Sequence, residues 1–263
     1  MSASALADTV SLMGRSFVRL TEAEVCAAIL QEIDGARRGW VLTANLDILR
    51  RWVNQPEFRD LTQSVNVCVA DGAPVVWASR LQGTPVPERV TGADLVTSLS
   101  AGAARRGHSV FLLGGAPGTA TKAAELLQQS YPGLQIAGTN CPEFGFEKSA
   151  QALAGIREQL LATQPAIVFV ALGSPKQEQL IKQMMVDLPS TWWLGIGASF
   201  SFLSGEIQRA PKWMQGVGLE WLHRLVQEPR RLFKRYLLDD LPFLLRLLSN
   251  TLVARFVQHS KSN

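Results

Sequence analysis

The sequence predicts an α/β fold: an open, mostly parallel Rossmann-like sheet with helices on both faces, followed by a basic, amphipathic helical segment. Two observations predict it. Short apolar runs rich in Val, Ile and Phe alternate with helical segments, and nearly every run ends in a small or polar residue. Strands that are buried on both faces have this continuous apolar character. A chain of 263 residues is long enough for one such domain with an appendage.

Six apolar runs are the predicted strands, at 40–43, 65–70, 109–113, 134–137, 166–172 and 191–196. Helices are predicted between them, among others at 119–130, 149–162 and 176–186. The first helix is predicted to begin with a capping box at Thr21 and Glu24, because Val25, Ile29 and Ile33 then share one face. We expect a core of residues 1–207 and a helical appendage of residues 208–263.

Charge is distributed unevenly between these two parts. The net charge is +4, but from Arg209 onward ten Lys or Arg stand against four Asp or Glu, so the core is slightly acidic. This asymmetry favours an anionic partner for the appendage, either lipid or nucleic acid, although a solvated helix face has the same composition.

The cysteines and the hydropathy pattern indicate the cellular compartment. Cys26, Cys68 and Cys141 are scattered without metal-ligand spacing, which favours a reducing environment, and Cys68 is predicted to be buried within a strand. We expect no signal peptide, and no apolar run reaches the roughly 20 residues of a spanning helix. The sequence therefore predicts a cytoplasmic protein with peripheral membrane contact at most.

Small and polar residues follow five of the predicted strands. In chain order they are Thr43 and Asn45, then Asp71, then Gly114 and Gly115, then Gly173, Pro175 and Gln177, and finally Gly197. The carboxyl ends of parallel strands meet at one edge of a sheet, and ligands bind in the crevice outside that edge. This pattern predicts a nucleotide-type site formed by these residues.

Each of these residues also has a structural interpretation. Asp71 suits a general base or a ribose ligand, but it also suits an N-cap for the helix that begins near Pro74. Asn45 has the same alternative for the helix that follows it. The turn 114–118 is either a phosphate cradle or a tight turn. Arg89 is either the partner of a phosphate or of Asp71, or an exposed charge, and Gln177 is either a site residue or an ordinary first-turn residue.

Several motifs are absent from the sequence. It contains no Gly-x-Gly-x-x-Gly, no P-loop with Lys and Ser/Thr, no Asp-x-Asp, and no Ser or Cys nucleophile motif. These absences argue against a nicotinamide dinucleotide, ATP, a metal-bridged sugar nucleotide and acyl transfer. We expect neither a cofactor nor a metal.

The appendage combines aromatic residues with arginines. Arg224, Arg231 and Arg235 are seven and four residues apart, so they lie near one face if a single helix continues through Pro229. Aromatic and arginine side chains on an amphipathic segment favour a surface rich in lipid phosphate.

As an ordered set, these motifs resemble the WecG/TagA/CpsF family, glycosyltransferase family 26, over roughly residues 15–240. The matching segments are 43–45, 70–72, 88–92, 112–115, 173–178, 197–200, 209–211, 218–222 and 228–231. The resemblance implies an inverting transfer of a sugar from a UDP-sugar to a polyprenyl-pyrophosphate-linked sugar. It places this reaction at the cytoplasmic face of the inner membrane, with a β-1,4 bond formed during cell-surface or exopolysaccharide synthesis.

The resemblance also implies roles for individual residues. Asp71 corresponds to the base that takes the acceptor proton, and Thr43 and Asn45 to residues that orient the acceptor or the base. Arg89 and Gln177 correspond to residues that bind acceptor or nucleotide. The appendage arginines, Arg224, Arg231 and Arg235, resemble those that grip pyrophosphate and membrane.

One position departs from the family pattern, because Ser201 stands where the family usually has Asp. The donor therefore stays open among UDP-N-acetylmannosamine, its uronic acid, and UDP-glucose as in the GumM-like enzymes. A homo-oligomer is also open. Two other functions remain as alternatives: a nicotinamide-dependent oxidoreductase, and a nucleic-acid-binding or scaffold protein that uses its basic tail.

Overall fold

The structure is a computed structural model that describes residues 5–261, with side chains from 6 to 255. Its strands are β1 (Thr9–Leu12), β2 (Arg15–Val18), β3 (Gly39–Ala44), β4 (Val67–Ala70), β5 (Ser109–Gly114), β6 (Gln135–Asn140), β7 (Ile167–Ala171) and β8 (Trp192–Gly195). The helices of the core are α1 (Glu22–Asp34), α2 (Leu46–Asn54), α3 (Pro56–Leu61), α4 (Ala73–Gln82), α5 (Gly92–Arg106), α6 (Thr119–Ser130), α7 (Ala150–Thr163), α8 (Lys176–Met184) and α9 (Ser199–Leu203).

The central sheet has six strands in the order β4-β3-β8-β7-β5-β6, and every neighbouring pair is parallel. The six predicted strands are confirmed, and so is the capping box that begins α1. The sequence analysis missed a hairpin, formed by β1 and β2, that lies beside the edge strand β4. Met13 and Gly14 join its strands with φ angles of 49° and 87°, as in the two-residue turns that suit hairpin twist.

Alternate strand residues face two separate layers of helices. Val41, Val67 and Val110 pack in one cluster with apolar residues of α1, α5 and α6. Their neighbours Leu42 and Cys68 point to the opposite face and join a cluster with α2 and α4, and Phe111 joins a second cluster on that face with α7 and α8. The side-chain period of a strand is two, so this division confirms a sheet that is covered on both faces.

The chain order of the strands creates a crevice at their carboxyl ends. From β5 the chain passes through α6 to β6, toward one edge, whereas from β7 it passes through α8 to β8, in the opposite direction. Ligands of open α/β sheets bind where neighbouring connections diverge in this way. Gly114 ends β5 at this point with φ 108°, and a Cβ there would lie 2.5 Å from the carbonyl oxygen of Ala171.

The tail, residues 208–261, contains α10 (Lys212–Gly216), α11 (Glu220–Gln227), α12 (Pro229–Phe233), a π-helical stretch (Lys234–Asp240) and α13 (Leu241–Lys261). α13 lies along α4, where Phe243 and Leu247 are buried against Val75 and Val76. Within the described residues, no helix is both long and apolar enough to cross a bilayer. The domain boundary at residue 207 stays a prediction.

Candidate active site

Asp71 lies at the carboxyl end of β4, where the backbone of three segments meets. Its N–H donates to the carbonyl oxygen of Ala44 at the end of β3, at 3.0 Å. The loop before α5 closes over it, because the N–H of Val90 donates to the carbonyl oxygen of Ala70 at 3.0 Å. The N–H of Gly92 then donates to Oδ2 of Asp71 at 3.4 Å. The N-cap of α4 is Gly72, so the N-cap interpretation of Asp71 is wrong.

The environment of Asp71 makes it a stronger base than an ordinary aspartate. Burial raises the pKa of its carboxyl to about 6, and the negative charges of Glu220 and Asp94 act in the same direction. The positive charge of Arg89 and the hydrogen bond from Gly92 oppose this rise. A carboxylate whose pKa lies near neutrality suits proton transfer at physiological pH.

A second carboxylate nearby has the opposite character. Asp94 is partly buried, but hydrogen bonds from Arg209 and Thr91 outweigh its burial and lower its pKa. Arg209 donates to both of its oxygens, at 2.5 and 3.0 Å. Two neighbouring carboxylates with opposite pKa shifts are typical of sites where one accepts a proton and the other stays ionised.

The tail contributes Glu220 to this site. Nη1 of Arg89 lies 2.6 Å from Oε2 of Glu220, and Nε of Arg209 lies 3.5 Å from Oε1. A network of alternating charge therefore runs from Arg89 through Glu220 and Arg209 to Asp94. The sequence analysis named Arg89 but missed Arg209, Glu220 and Asp94 as site residues. Their one sequence signal was their position inside or beside the segments that resemble the family.

Thr43 and Asn45 lie at the same edge, but their side chains already have backbone partners. The hydroxyl of Thr43 donates to the carbonyl oxygen of Gly195 at 2.8 Å, which joins β3 to β8. Oδ1 of Asn45 accepts the N–H of Ile48 at 3.1 Å, so the helix-cap interpretation of Asn45 is confirmed. Their predicted roles in orienting the acceptor or the base stay predictions.

Gln177 joins the ends of β7 and β8. Its Oε1 accepts the N–H of Gly197 at 3.1 Å, and its Nε2 donates to Oε1 of Glu178 at 2.9 Å. Gly195 makes room for it, because a Cβ there would lie 2.7 Å from Nε2 of Gln177. Glu178 is fully buried, and burial raises the pKa of its carboxyl. The hydrogen bonds of Gln177 thus link the ends of β7 and β8. Its predicted contact with a ligand stays a prediction.

The predicted glycine turns are at the expected edge. Gly115 has φ 83°, and its N–H already donates to the carbonyl oxygen of Ala171 at 2.9 Å. Gly173 and Pro175 form the turn before α8, with a cis bond between Ser174 and Pro175. Gly197 follows β8 with φ 57°. The turns bring their backbones to the crevice, as the strand-end pattern predicts.

The tail arginines do not share one continuous helix, because α11 ends at Gln227 and α12 begins at Pro229. Arg224 and Arg231 nevertheless converge on Glu228, at 3.6 and 2.6 Å. Arg235 lies instead 3.6 Å from both Asp47 and Asp240. The condition for a single face, one continuous helix, is therefore not met.

All three arginines still act on one group, the phenol of Tyr236. Burial raises the pKa of Tyr236, and the charges of Arg224, Arg235 and Arg231 oppose that rise. Trp221 packs edge-on against the same ring, with the centroids 6.1 Å apart. The three tail arginines thus act electrostatically on Tyr236, one ring of the aromatic pair.

Among the described residues, no group of three or more His, Cys, Asp or Glu side chains is placed to hold a metal ion. The expectation that the protein works without a metal or cofactor stays a prediction. Ser201, the position that departs from the family pattern, lies in α9, and its carbonyl oxygen accepts the N–H of Ile207 at 3.1 Å.

Comparison with known proteins supports the resemblance seen in the sequence. The profile of the glycosyl transferase WecG/TagA/CpsF family matches residues 10–256. A protein of Bacillus spizizenii, named N-acetylglucosaminyldiphosphoundecaprenol N-acetyl-beta-D-mannosaminyltransferase, is 33% identical over 199 residues, which are 76% of this chain and 75% of the relative. The family profile covers the strand ends of the core, the network around Asp71 and most of the tail. The chain belongs to the WecG/TagA/CpsF family of glycosyltransferases.

Proposed function

We propose that this protein is an inverting hexosyltransferase that moves a sugar from a UDP-sugar to a polyprenyl-pyrophosphate-linked sugar. In this proposal the oxygen of an acceptor hydroxyl attacks the anomeric carbon of the donor from the face opposite UDP. Asp71 takes the proton of that hydroxyl, and the bond to UDP breaks. The new bond is β-1,4, and the product belongs to a cell-surface polysaccharide or exopolysaccharide.

The observation that carries the proposal is the state of Asp71. It is the acidic residue at the strand ends whose pKa is raised to about 6, and among the described residues no cation lies within 4.0 Å of it. Its one hydrogen-bond donor in that part of the chain, the N–H of Gly92, is distant at 3.4 Å. An unpaired carboxylate of this kind can accept a proton, whereas the salt-bridged Asp94 cannot do so readily.

Departure of UDP leaves additional negative charge on its β-phosphate, which cationic side chains can stabilise. Arginine suits this task because its planar fork presents paired donors to phosphate oxygens. Arg89 lies beside Asp71, and Arg224 and Arg231 lie on the tail that packs over this edge. Among the described residues, the ion-pair partner of both Arg224 and Arg231 is Glu228, an acidic residue of their own segment, which a phosphate group can replace.

A cleft of about 380 Å³ beside the glycine turn suits the nucleobase of the donor. Asn140 and Pro142 line it, and between them Cys141 contacts the carbonyl oxygen of Gly114 through Sγ at 3.3 Å. Phe144 lines it and is 99% exposed, with Nζ of Lys176 lying 4.6 Å from the ring centroid. An exposed aromatic ring next to a polar cleft is a favourable stacking surface for a base.

We propose that the tail docks on the cytoplasmic face of the inner membrane, where the acceptor lipid lies. One face of α13 is buried on the core, and the other exposes Leu241, Leu245 and Leu252, which are four and seven residues apart. Trp213 and Val226 are 65% and 74% exposed in the preceding helices. Exposed apolar residues together with arginines favour an interface with acidic lipid.

Among donors, UDP-N-acetylmannosamine is our first choice, because the Bacillus relative is named for the transfer of N-acetylmannosamine to a lipid-diphosphate-linked acceptor. Its uronic acid and UDP-glucose are the alternatives, since Ser201 stands where the family usually has Asp. The family assignment favours a transferase over the oxidoreductase and nucleic-acid hypotheses.

The test is transfer from each of the three UDP-sugars to a synthetic lipid-pyrophosphate acceptor, with and without the substitution Asp71→Asn. We expect one donor to give product, and Asp71→Asn to lower kcat by about 10²–10⁴-fold, the contribution of a positioned base. The affinity for UDP, measured by calorimetry, should change little. Asp60→Asn, at an exposed carboxylate outside the site, is the matched control. Full turnover by the Asp71→Asn protein would exclude Asp71 as the base.

A further inference from the structure

We propose that Glu220, the first residue of α11, is a positioning residue for Asp71. It holds the guanidinium of Arg89 and thereby keeps the Asp71 carboxylate unpaired and able to accept a proton. This inference rests on the proposed function, and it assigns to the tail a second task besides membrane contact: the tail sets the basicity of the core carboxylate.

The geometry shows Glu220 shared between two arginines. Its Oε2 lies 2.6 Å from Arg89 and its Oε1 lies 3.5 Å from Arg209, and the side chain is 15% exposed. Arg209 is itself fixed by its two hydrogen bonds to Asp94. Within the described chain, Arg89 therefore has one carboxylate partner within 4.0 Å, and it is the residue from the tail and not Asp71.

The backbone seats Glu220 in this position through a close contact with α4. Gly218 has φ 78°, and a Cβ there would lie 2.5 Å from Cβ of Ala73 and 2.9 Å from the ring of Trp77. Ala73 is the first residue of α4, two positions after Asp71. The segment that carries Glu220 thus lies directly on the helix that follows the proposed base.

The charges around Asp71 explain why this contact matters. Besides burial, the groups that act on its carboxyl are Arg89 and the N–H of Gly92, which lower its pKa, and Glu220 and Asp94, which raise it. If Glu220 loses its negative charge, the positive charge of Arg89 no longer has an ion-pair partner to balance it. The charge of Arg89, which already lowers the pKa of the Asp71 carboxyl, then acts on it without the opposing charge of Glu220. A carboxylate beside an arginine is a weaker base.

The test is the pH profile of kcat for Glu220→Gln, which removes the charge and keeps the shape. We expect its acid limb to move to lower pH by about one unit, the effect of pairing an aspartate with an arginine. The control is Glu228→Gln, which removes another tail carboxylate that binds two arginines, Arg224 and Arg231. It should leave the acid limb in place. An unmoved or raised acid limb in the Glu220→Gln protein overturns the proposal.

Two further measurements separate this inference from the proposed function. In the double variant Glu220→Gln/Arg89→Gln, the acid limb should return toward higher pH, because the cation that attracts Asp71 is gone. The pKa of Asp71 can also be followed without any substrate, by NMR of protein labelled with ¹³C at the aspartate carboxyls and assigned with Asp71→Asn. If no sugar is transferred at all, the proposed function fails, but a lower Asp71 pKa in the Glu220→Gln protein still supports the coupling. An unchanged pKa overturns the coupling even when the wild type is active.

Discussion

The core and the tail differ in how far their large apolar side chains are exposed to solvent. In the sheet, Trp40, Trp192 and Trp193 are at most 1% exposed, whereas Trp213, Val226 and Leu245 of the tail are 64% exposed or more. A soluble domain rarely exposes several large apolar residues of one segment without a partner for them. The core thus buries most of its large apolar side chains and exposes few of them, such as Phe144 and Val186, whereas the tail exposes several in one segment. This contrast supports the proposal that the tail contacts a second surface.

The same contrast holds for charge. In the core, Asp71 is a half-buried carboxylate without an ion-pair partner among the described residues, and it carries an unfavourable charge near neutral pH. In the tail, Arg224, Arg231 and Arg235 each contact an acidic side chain. In the proposed mechanism, the core thus holds a proton acceptor at a cost in stability, and the tail holds cations that a phosphate can bind.

The strongest test of this comparison removes the apolar face of α13. Replacing Leu241, Leu245 and Leu252 with Gln should reduce association with vesicles that contain acidic lipid by about 10²–10⁴-fold, since each leucine that enters lipid contributes about 1–2 kcal/mol. The melting temperature of the core should stay within a few degrees, because these side chains are exposed.

The matched control is Val186→Ser, at a residue of the core that is 70% exposed. It should leave vesicle association unchanged in co-sedimentation. If the triple variant binds vesicles as well as the wild type, α13 is not the docking face.

A second test concerns the free energy of unfolding, which the charge of Asp71 lowers. Its pKa rises from 3.8 in the unfolded chain to about 6 in the folded protein, so the folded state holds the proton more tightly. Stability therefore falls as the pH rises from about 4 to 6, and the full cost, about 3 kcal/mol, is present above pH 6. Asp71→Asn should raise the melting temperature at pH 7.5, and the gain should vanish near pH 4. If Asp71→Asn instead lowers the melting temperature at pH 7.5, the charge of Asp71 does not destabilise the folded protein.

Much of the core was predictable because its signals are local. Strands buried on both faces are continuous apolar runs, and each ends where its residues become small or polar. The sequence therefore predicted the edge of the sheet at which Asp71 lies. The hairpin at β1 and β2 was missed because its strands have four residues each and Met13 occupies a position with φ 49° that usually takes Asn or Gly.

The network around Asp71 was not predictable in the same way. Arg89 and Glu220 are separated by 131 positions, and no periodicity connects residues that meet only through packing. The single face expected for the tail arginines depended on one continuous helix. Because Pro229 begins a new helix, the sequence spacing of Arg224, Arg231 and Arg235 does not place them on one helical face.

The smallest expected effect comes from loosening the contact between the two regions at Gly218. Gly218→Ala adds a methyl group where φ is 78° and the nearest side-chain carbon is 2.5 Å away, so the tail must shift or the backbone must strain by about 1–2 kcal/mol. Gly216→Ala is the matched control, because a Cβ at Gly216 meets nothing within 4 Å and its φ is not positive.

Limited proteolysis measures the difference between these two variants. We expect faster cleavage of the tail in the Gly218→Ala protein and an unchanged rate in the Gly216→Ala protein, with the core of both resistant. Because Glu220 lies two residues beyond Gly218, the first variant should also shift the acid limb of the kcat profile in the same direction as Glu220→Gln, but by less. Equal cleavage rates and equal acid limbs in the two variants would mean that the seat of the tail on α4 does not position Glu220.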